Sequence, residues 1–146
     1  MDQSPRAELL FGILAECAPP EDMGTIDGGK ARMIPITGGT VSGPHLSGTV
    51  MPGGADWSIV REGGVATVEA RYALRADDGT IIQIWNGATT RMGPPREDGV
   101  MMITTPRFLA PDGPHAWLNH GVYCGTLIPD MGEGRFAVKI GVFRMS

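Results

Sequence analysis

The sequence predicts an all-β domain, a barrel in preference to a sandwich, and three observations predict it. Glycine and proline, 22 and 12 of 146 residues, reach about twice their ordinary usage, which argues against a helical bundle. Apolar residues make up 42 % of the chain, enough to bury a core instead of leaving the chain disordered. Short alternating segments recur between Gly and Pro punctuation, as in a sandwich or barrel, and closure into a barrel also removes exposed strand edges. At this length one core is expected, hence one domain over residues 1–146.

The elements follow from the two-residue period of a strand with one wet and one dry face. Val65 to Leu74 shows it best: Ala66, Val68, Ala70, Tyr72 and Leu74 share one face, and Val65, Thr67, Glu69, Arg71 and Ala73 the other. Asp77-Asp78-Gly79 then leads into Thr80 to Asn86, a hairpin signal because Asp-Gly tolerates the positive φ of tight turns. Glu62-Gly63-Gly64 joins Ala55 to Arg61 onto Val65 in the same way, so three consecutive strands form a meander. Further strands are expected at Leu9 to Cys17, Ala31 to Thr37, His45 to Met51, Val100 to Phe108, His115 to Leu127 and Arg135 to Arg144. Leu9 to Ala15 lacks a cap and a 3.6-residue stripe, so strand is preferred to helix there. Gly93 to Gly99 is the clearest loop, a candidate border to a cavity mouth.

Charge and cysteine content narrow the partners. Twelve Lys and Arg against 16 Asp and Glu give a net charge of -4 without a basic stripe, so nucleic acid is not an expected partner. Cys17 and Cys124 are too few for a disulfide framework, and the N-terminus has no basic region followed by a cleavage site. The apolar run Leu9 to Ala15 falls far short of the roughly twenty residues a bilayer needs. A cytoplasmic protein with reduced thiols and no membrane partner is expected.

Motifs that tempt give way to plainer readings. Gly24-Thr25-Ile26-Asp27-Gly28-Gly29-Lys30 matches the glycines and lysine of a phosphate-binding loop, but Ala31 replaces the Ser or Thr that holds magnesium and Pro35 opposes the helix that must follow. A glycine-rich turn before a strand explains it better. His45, His115 and His120 form no HxH or HExxH arrangement, so no metal is expected. Both cysteines read as small buried hydrophobes, and the scattered methionines, Met101-Met102 included, as core.

Polar and aromatic side chains within strands are more informative. Asp56 and Trp57 follow Gly53-Gly54, Glu69 and Arg71 share one face of a strand, and Trp117, Asn119 and Tyr123 share the parity of another. An outward Glu69/Arg71 face is a solvated ion pair of little weight. An inward one needs partners, because an unpaired buried charge is strongly disfavoured. The co-occurrence with Trp and Tyr points to a polar, aromatic cavity.

The runs Pro35-Ile36-Thr37-Gly38-Gly39-Thr40, Gly43-Pro44, Gly48-Thr49-Val50 and Pro52-Gly53-Gly54-Ala55-Asp56-Trp57 resemble DUF family 3237, small bacterial proteins that are largely uncharacterised. The resemblance continues through Ala70-Arg71-Tyr72, Asp77-Asp78-Gly79, Thr104-Thr105-Pro106-Arg107-Phe108 and Ala116-Trp117-Leu118-Asn119, covering about residues 7 to 145. It implies a closed or nearly closed antiparallel barrel with a central pocket and self-association into a homo-oligomer. It also implies that the family's recurring polar positions fall on Asp56, Arg71, Arg107 and Asn119, and its aromatics on Trp57, Tyr72 and Trp117. His45, His120, Trp85 and the short Gly93 to Gly99 loop depart from the pattern and are candidates for what tailors this member.

A barrel pocket surrounds its ligand with apolar wall and a few directional polar groups, which suits a small aromatic or polyketide-like molecule. Arg71 or Arg107 is a candidate partner for a phenolate, enolate or carboxylate, and Asp56, Tyr123 or His120 a candidate proton carrier. Trp57, Tyr72, Trp85, Trp117, Asn119 and His45 complete the expected binding wall. Without a nucleotide, flavin or metal signature no cofactor is expected. The remaining chemistry is redox-neutral, a lyase or isomerase, for instance one that releases formaldehyde in the catabolism of lignin-derived aromatics. The alternatives are a non-catalytic carrier or sensor of lipocalin type and a purely structural interaction module.

Overall fold

A computed structural model describes residues 1–146. Eleven strands belong to one sheet in which every pairing is antiparallel. They are β1 (Ala7–Cys17), β2 (Glu21–Ile26), β3 (Gly29–Ser42), β4 (Gly48–Val50), β5 (Gly54–Val60), β6 (Val65–Ala76), β7 (Ile81–Arg91), β8 (Met102–Thr104), β9 (Arg107–Leu109), β10 (Val122–Asp130) and β11 (Ala137–Met145). No helix is long and apolar enough to cross a membrane.

The pairing path runs β8, β10, β11, β1, β3, β4, β6, β7, β9. Its two ends are neighbours in the chain: β8 pairs with β10, β9 pairs with β7, and Thr105 between them donates its N–H to Gly87 O at 2.8 Å. This brings β7 and β10 to the two sides of one short segment and gives the sheet its barrel-like form. β4 and β5 lie end to end between the long strands β3 and β6, with the Met51 to Gly53 bend dividing them. Gly39, on β3, has φ 136, and a Cβ there would run into Leu14 O of β1, so only glycine lets these strands approach so closely.

The expected meander is present, with the parity read for β6: Ala66, Tyr72 and Leu74 are buried while Glu69 and Arg71 are exposed. The segment at Leu9 to Cys17 is a strand, and a register shift between Leu9 and Phe11 turns two successive residues, Leu10 and Phe11, into the core. Four expected boundaries need correction. β4 occupies only Gly48–Val50 of His45 to Met51. Val100 to Phe108 divides into β8 and β9 around Pro106, which has no N–H to give to a ladder. Most of His115 to Val122 is not strand, because Ala116–Asn119 forms a 3-10 turn and β10 begins only at Val122. Arg135 to Arg144 starts at Ala137. A further strand, β2, is exposed throughout and forms a hairpin with β3 around Asp27 (φ 48) and Gly28 (φ 79), the left-handed turn inside the glycine-rich run.

The inner face is solid at one end and hollow at the other. Phe11, Phe108 and Tyr123 meet edge to face, with centroids 5.9 Å and 5.4 Å apart, among Leu10, Leu74, Ile82 and Ile84. Further along the same strands the inward residues shrink or turn polar: β6 passes from Leu74 and Tyr72 to Ala70, β7 from Ile84 to Asn86, and β10 from Tyr123 to Gly125. This change of side-chain size opens the cavity.

Candidate active site

The cavity has a volume of about 250 Å³ and is lined mostly by carbon, including Ala15, Ile34, Ile36, Val68, Ala70 and Ile140. For comparison, a dry apolar void of ~150 Å³ accepts benzene. Seven side chains bring polar atoms or sulfur to this wall: Cys17, Arg32, Asp56, Tyr72, Asn86, Thr104 and Met131.

Asp56 sits on β5, paired with Ile34 on one side and Ala70 on the other. Burial raises its pKa above the ordinary carboxylate value, against the opposing pull of the Glu69 backbone N–H at 3.1 Å and the Arg32 guanidinium. Tyr72, 5 % exposed, has a hydroxyl without a hydrogen-bond partner. Burial above all, helped by the neighbouring Cys17 and Asp56, drives its phenol pKa upward, so it stays a proton donor. Cys17 is likewise pushed up by burial and then by Asp56, which keeps it a thiol, a poor nucleophile. Asn86 Oδ1 and Thr104 Oγ1 are also buried without partners.

Of the residues expected at the site, the fold brings Asp56 and Tyr72 into the cavity wall. Arg71 faces outward, which corrects the inward reading of the Glu69/Arg71 face: Ala70 and Tyr72 hold the inner parity, so Arg71 must point away. Its guanidinium stacks 4.7 Å from the Trp85 ring centroid and donates to Gln83 Oε1, and Arg107 lies 5.5 Å from the same ring. Trp57, 51 % exposed, also lies on the outer face.

Trp117, Asn119 and Tyr123 do not share a strand parity, because the first two belong to the 3-10 turn. Asn119 uses its side-chain amide as a strand would use its backbone, accepting from Ala110 N at 2.7 Å and donating to Ala110 O at 2.8 Å. The Tyr123 hydroxyl donates toward His120 O and Trp117 O, which ties the turn to the core. Burial raises its pKa. His120 is exposed; His45 packs near Trp117 and lies 3.4 Å from Glu8, whose pKa is lowered chiefly by its hydrogen bond to Arg144. His115 pairs with Asp78 at 2.9 Å. No three His, Cys, Asp or Glu side chains cluster as metal ligands.

Asn86, Thr104, Cys17 and Arg32 were not among the expected site residues. A signal existed for two of them. Asn86 shares the parity of Ile82 and Ile84, and Thr104 that of Met102, so each is a polar residue on a core-facing position.

Residues 5–145 match the family model described as "Protein of unknown function (DUF3237)". The chain belongs to the DUF3237 family. Its similarity to a UPF0311 protein of Rhodopseudomonas palustris is 33 % identity over 131 residues, 82 % of this chain and 85 % of that one. Among solved structures, a beta-barrel like protein of Acinetobacter baumannii superposes with a TM-score of 0.85 at 29 % identity, covering 100 % of this chain and 99 % of that one. A structure described as an enzyme from Penicillium herquei superposes with a TM-score of 0.75 at 23 % identity over 97 % of both chains, a likeness of fold. The likeness to the Acinetobacter baumannii protein agrees with the barrel-like sheet, and the description of the DUF3237 family assigns no reaction.

Proposed function

We propose that this protein is a cofactor-independent lyase or isomerase, acting by acid and base catalysis on a small aromatic or polyketide-like substrate inside a closed barrel. The observation that carries the reading is the Asp56 carboxyl group, its pKa raised by burial, in the wall of a mostly apolar hollow. A carboxylate so placed is a stronger base than one in water. Tyr72 supplies the complementary part: a phenol that stays protonated and has no partner in the protein, free to donate a hydrogen bond to an oxygen on which negative charge develops.

One version of the reaction is a retro-aldol cleavage of the kind needed to degrade lignin-derived aromatics. Asp56 takes the proton of a hydroxymethyl arm, the C–C bond breaks, and formaldehyde leaves. The electron pair passes into the conjugated remainder, whose oxyanion Tyr72 stabilises, and the proton held by Asp56 returns to carbon. In this reading Arg71 and Arg107 take no part, since both stack on Trp85 on the outer face. That a structure of the same fold is described as an enzyme from Penicillium herquei supports the reading; its reaction is its own.

The test is product analysis against a panel of phenolic dimers and small polyketides, with the wild type, Asp56→Asn and Tyr72→Phe. Turnover by the wild type and a loss of about 10²-fold or more in Asp56→Asn is expected. Turnover that survives Asp56→Asn overturns the assignment. Binding without product by every form favours the carrier.

A further inference from the structure

We infer that Asn86 and Thr104 form a recognition subsite for a ligand hydroxyl group, distinct from the Asp56 carboxylate; the inference deepens the function proposed above and rests on ligand binding in that cavity. The two side chains are 4 % and 1 % exposed, line the cavity, and leave Asn86 Oδ1 and Thr104 Oγ1 without a hydrogen-bond partner. Native interiors keep few such atoms, because each costs about 1–3 kcal/mol when left unpaired. Residues retained at that cost in the wall of a cavity are placed to meet something that enters it.

The backbone makes room for them. Gly125 on β10 lies opposite Thr104 of β8 in the ladder; a Cβ at Gly125 would collide with Thr104 Oγ1 and come within 3.6 Å of Asn86 Oδ1. Any other residue at 125 would displace the Thr104 hydroxyl and fill the space beside the amide. Asp56 and Asn86 are both partners of Ala70, one on each side, which sets their backbones two strand spacings apart, about 10 Å. Only the Ala70 methyl lies between them on that row, so a ring fits across it with one end at Asp56 and the other at the Asn86–Thr104 notch.

The donor set selects the ligand group. A carboxamide offers a donor and an acceptor, and a hydroxyl does the same. Their complement is a neutral group that both donates and accepts, which in a carbon-walled cavity is an alcohol or phenol. Neither a cation nor a carboxylate lies at the notch itself; the charged pair of the cavity, Asp56 and Arg32, offset each other near Asp56. The ligand is therefore a mostly carbon molecule whose end remote from the reacting group is uncharged and carries a hydroxyl.

The experiment compares binding of 4-methylphenol and 4-methylanisole, followed by NMR chemical-shift titration, in the wild type, Asn86→Leu and Thr104→Val. These substitutions keep the number and branching of side-chain heavy atoms and remove the polar atoms. The wild type is expected to bind the phenol about tenfold more tightly than its methyl ether, which cannot donate. Each variant is expected to lose that preference, keep its affinity for the ether, and melt at the same or a higher temperature, since removing an unpartnered buried polar group relieves its desolvation cost. Equal affinity for the two probes in the wild type, binding of neither, or variants that keep the preference while melting lower would overturn the inference. Asp56→Asn separates the two claims. A phenol preference present in the wild type and in Asp56→Asn, with no turnover by either, leaves the subsite standing and removes the catalytic reading; turnover without the preference does the reverse.

Discussion

Asp56 Oδ1 accepts the backbone N–H of Glu69 at 3.1 Å, while the Glu69 side chain itself is exposed. That bond and the Arg32 charge favour the carboxylate form, yet burial outweighs them and the pKa rises. A carboxyl group whose folded pKa lies above its unfolded value binds a proton more readily when folded, so its effect on stability becomes unfavourable as pH rises through the folded pKa. Asp56→Asn retains an oxygen acceptor for Glu69 N–H and cannot ionise. Its melting temperature is expected to exceed that of the wild type at pH 7, with the gap closing as pH falls toward 3.8, the ordinary value. Thermal unfolding across that range checks it, and a lower melting temperature at pH 7 would mean the carboxylate holds the fold together.

The same direction of shift sets the pH profile of turnover. A general base must be unprotonated, so kcat/KM is expected to fall with acid through a pKa above the ordinary carboxylate range and to be level above it. A profile whose acid limb sits at or below 3.8 would point to a different base.

Arg71→Ala removes a guanidinium stacked on Trp85 at the surface, a contact worth about 0.5–1 kcal/mol at an exposed site. Small destabilisation with ligand binding in the cavity unchanged is expected, measured by urea unfolding and by the phenol titration. Abolished turnover in a folded Arg71→Ala protein would bring this side chain back into the reaction.

Asn119→Ala strips both partners from Ala110, the residue that follows β9. A loss of about 1–3 kcal/mol is expected from the two hydrogen bonds, without a change in cavity binding. Near-neutral unfolding free energy would show that water replaces the amide at no cost.

Gly39→Ala forces a Cβ against Leu14 O at φ 136. Backbone strain and overpacking of about 1–3 kcal/mol each put the expected loss at roughly 2–6 kcal/mol. Since Gly39 joins β1 to the bend of β3, chemical denaturation with a reduced midpoint and an unchanged slope is the readout.

Local chemistry carried much of this fold in plain view. The period of Val65 to Leu74 sorts Ala66, Tyr72 and Leu74 from Glu69 and Arg71, because side chains on a strand must alternate and a core rewards only one face. Asp78-Gly79 and Glu62-Gly63-Gly64 mark the meander turns, since few residues tolerate positive φ. Tyr72 is placed on the inner face by the strand period, and Asp56 was singled out by its place after Gly53-Gly54 and by the family resemblance. The strand ends around His45, Pro106 and His115 to Val122 were not legible, because there a backbone bond from His45 N to Leu10 O, a missing N–H and a 3-10 turn compete with the ladder on terms set by distant neighbours.

What the sequence determined by itself is the strand content, the hairpin order and which face of each well-patterned strand is apolar, all of which depend on residues close together in the chain. Which polar groups meet was decided only by the tertiary structure. Arg71 and Trp57 go outward to the surface, whereas Cys17, Asp56, Tyr72, Asn86 and Thr104, from β1, β5, β6, β7 and β8, line one hollow. That convergence depends on strand register and on small residues at Ala70 and Gly125, and long-range pairings of this kind leave no local pattern for a sequence to display.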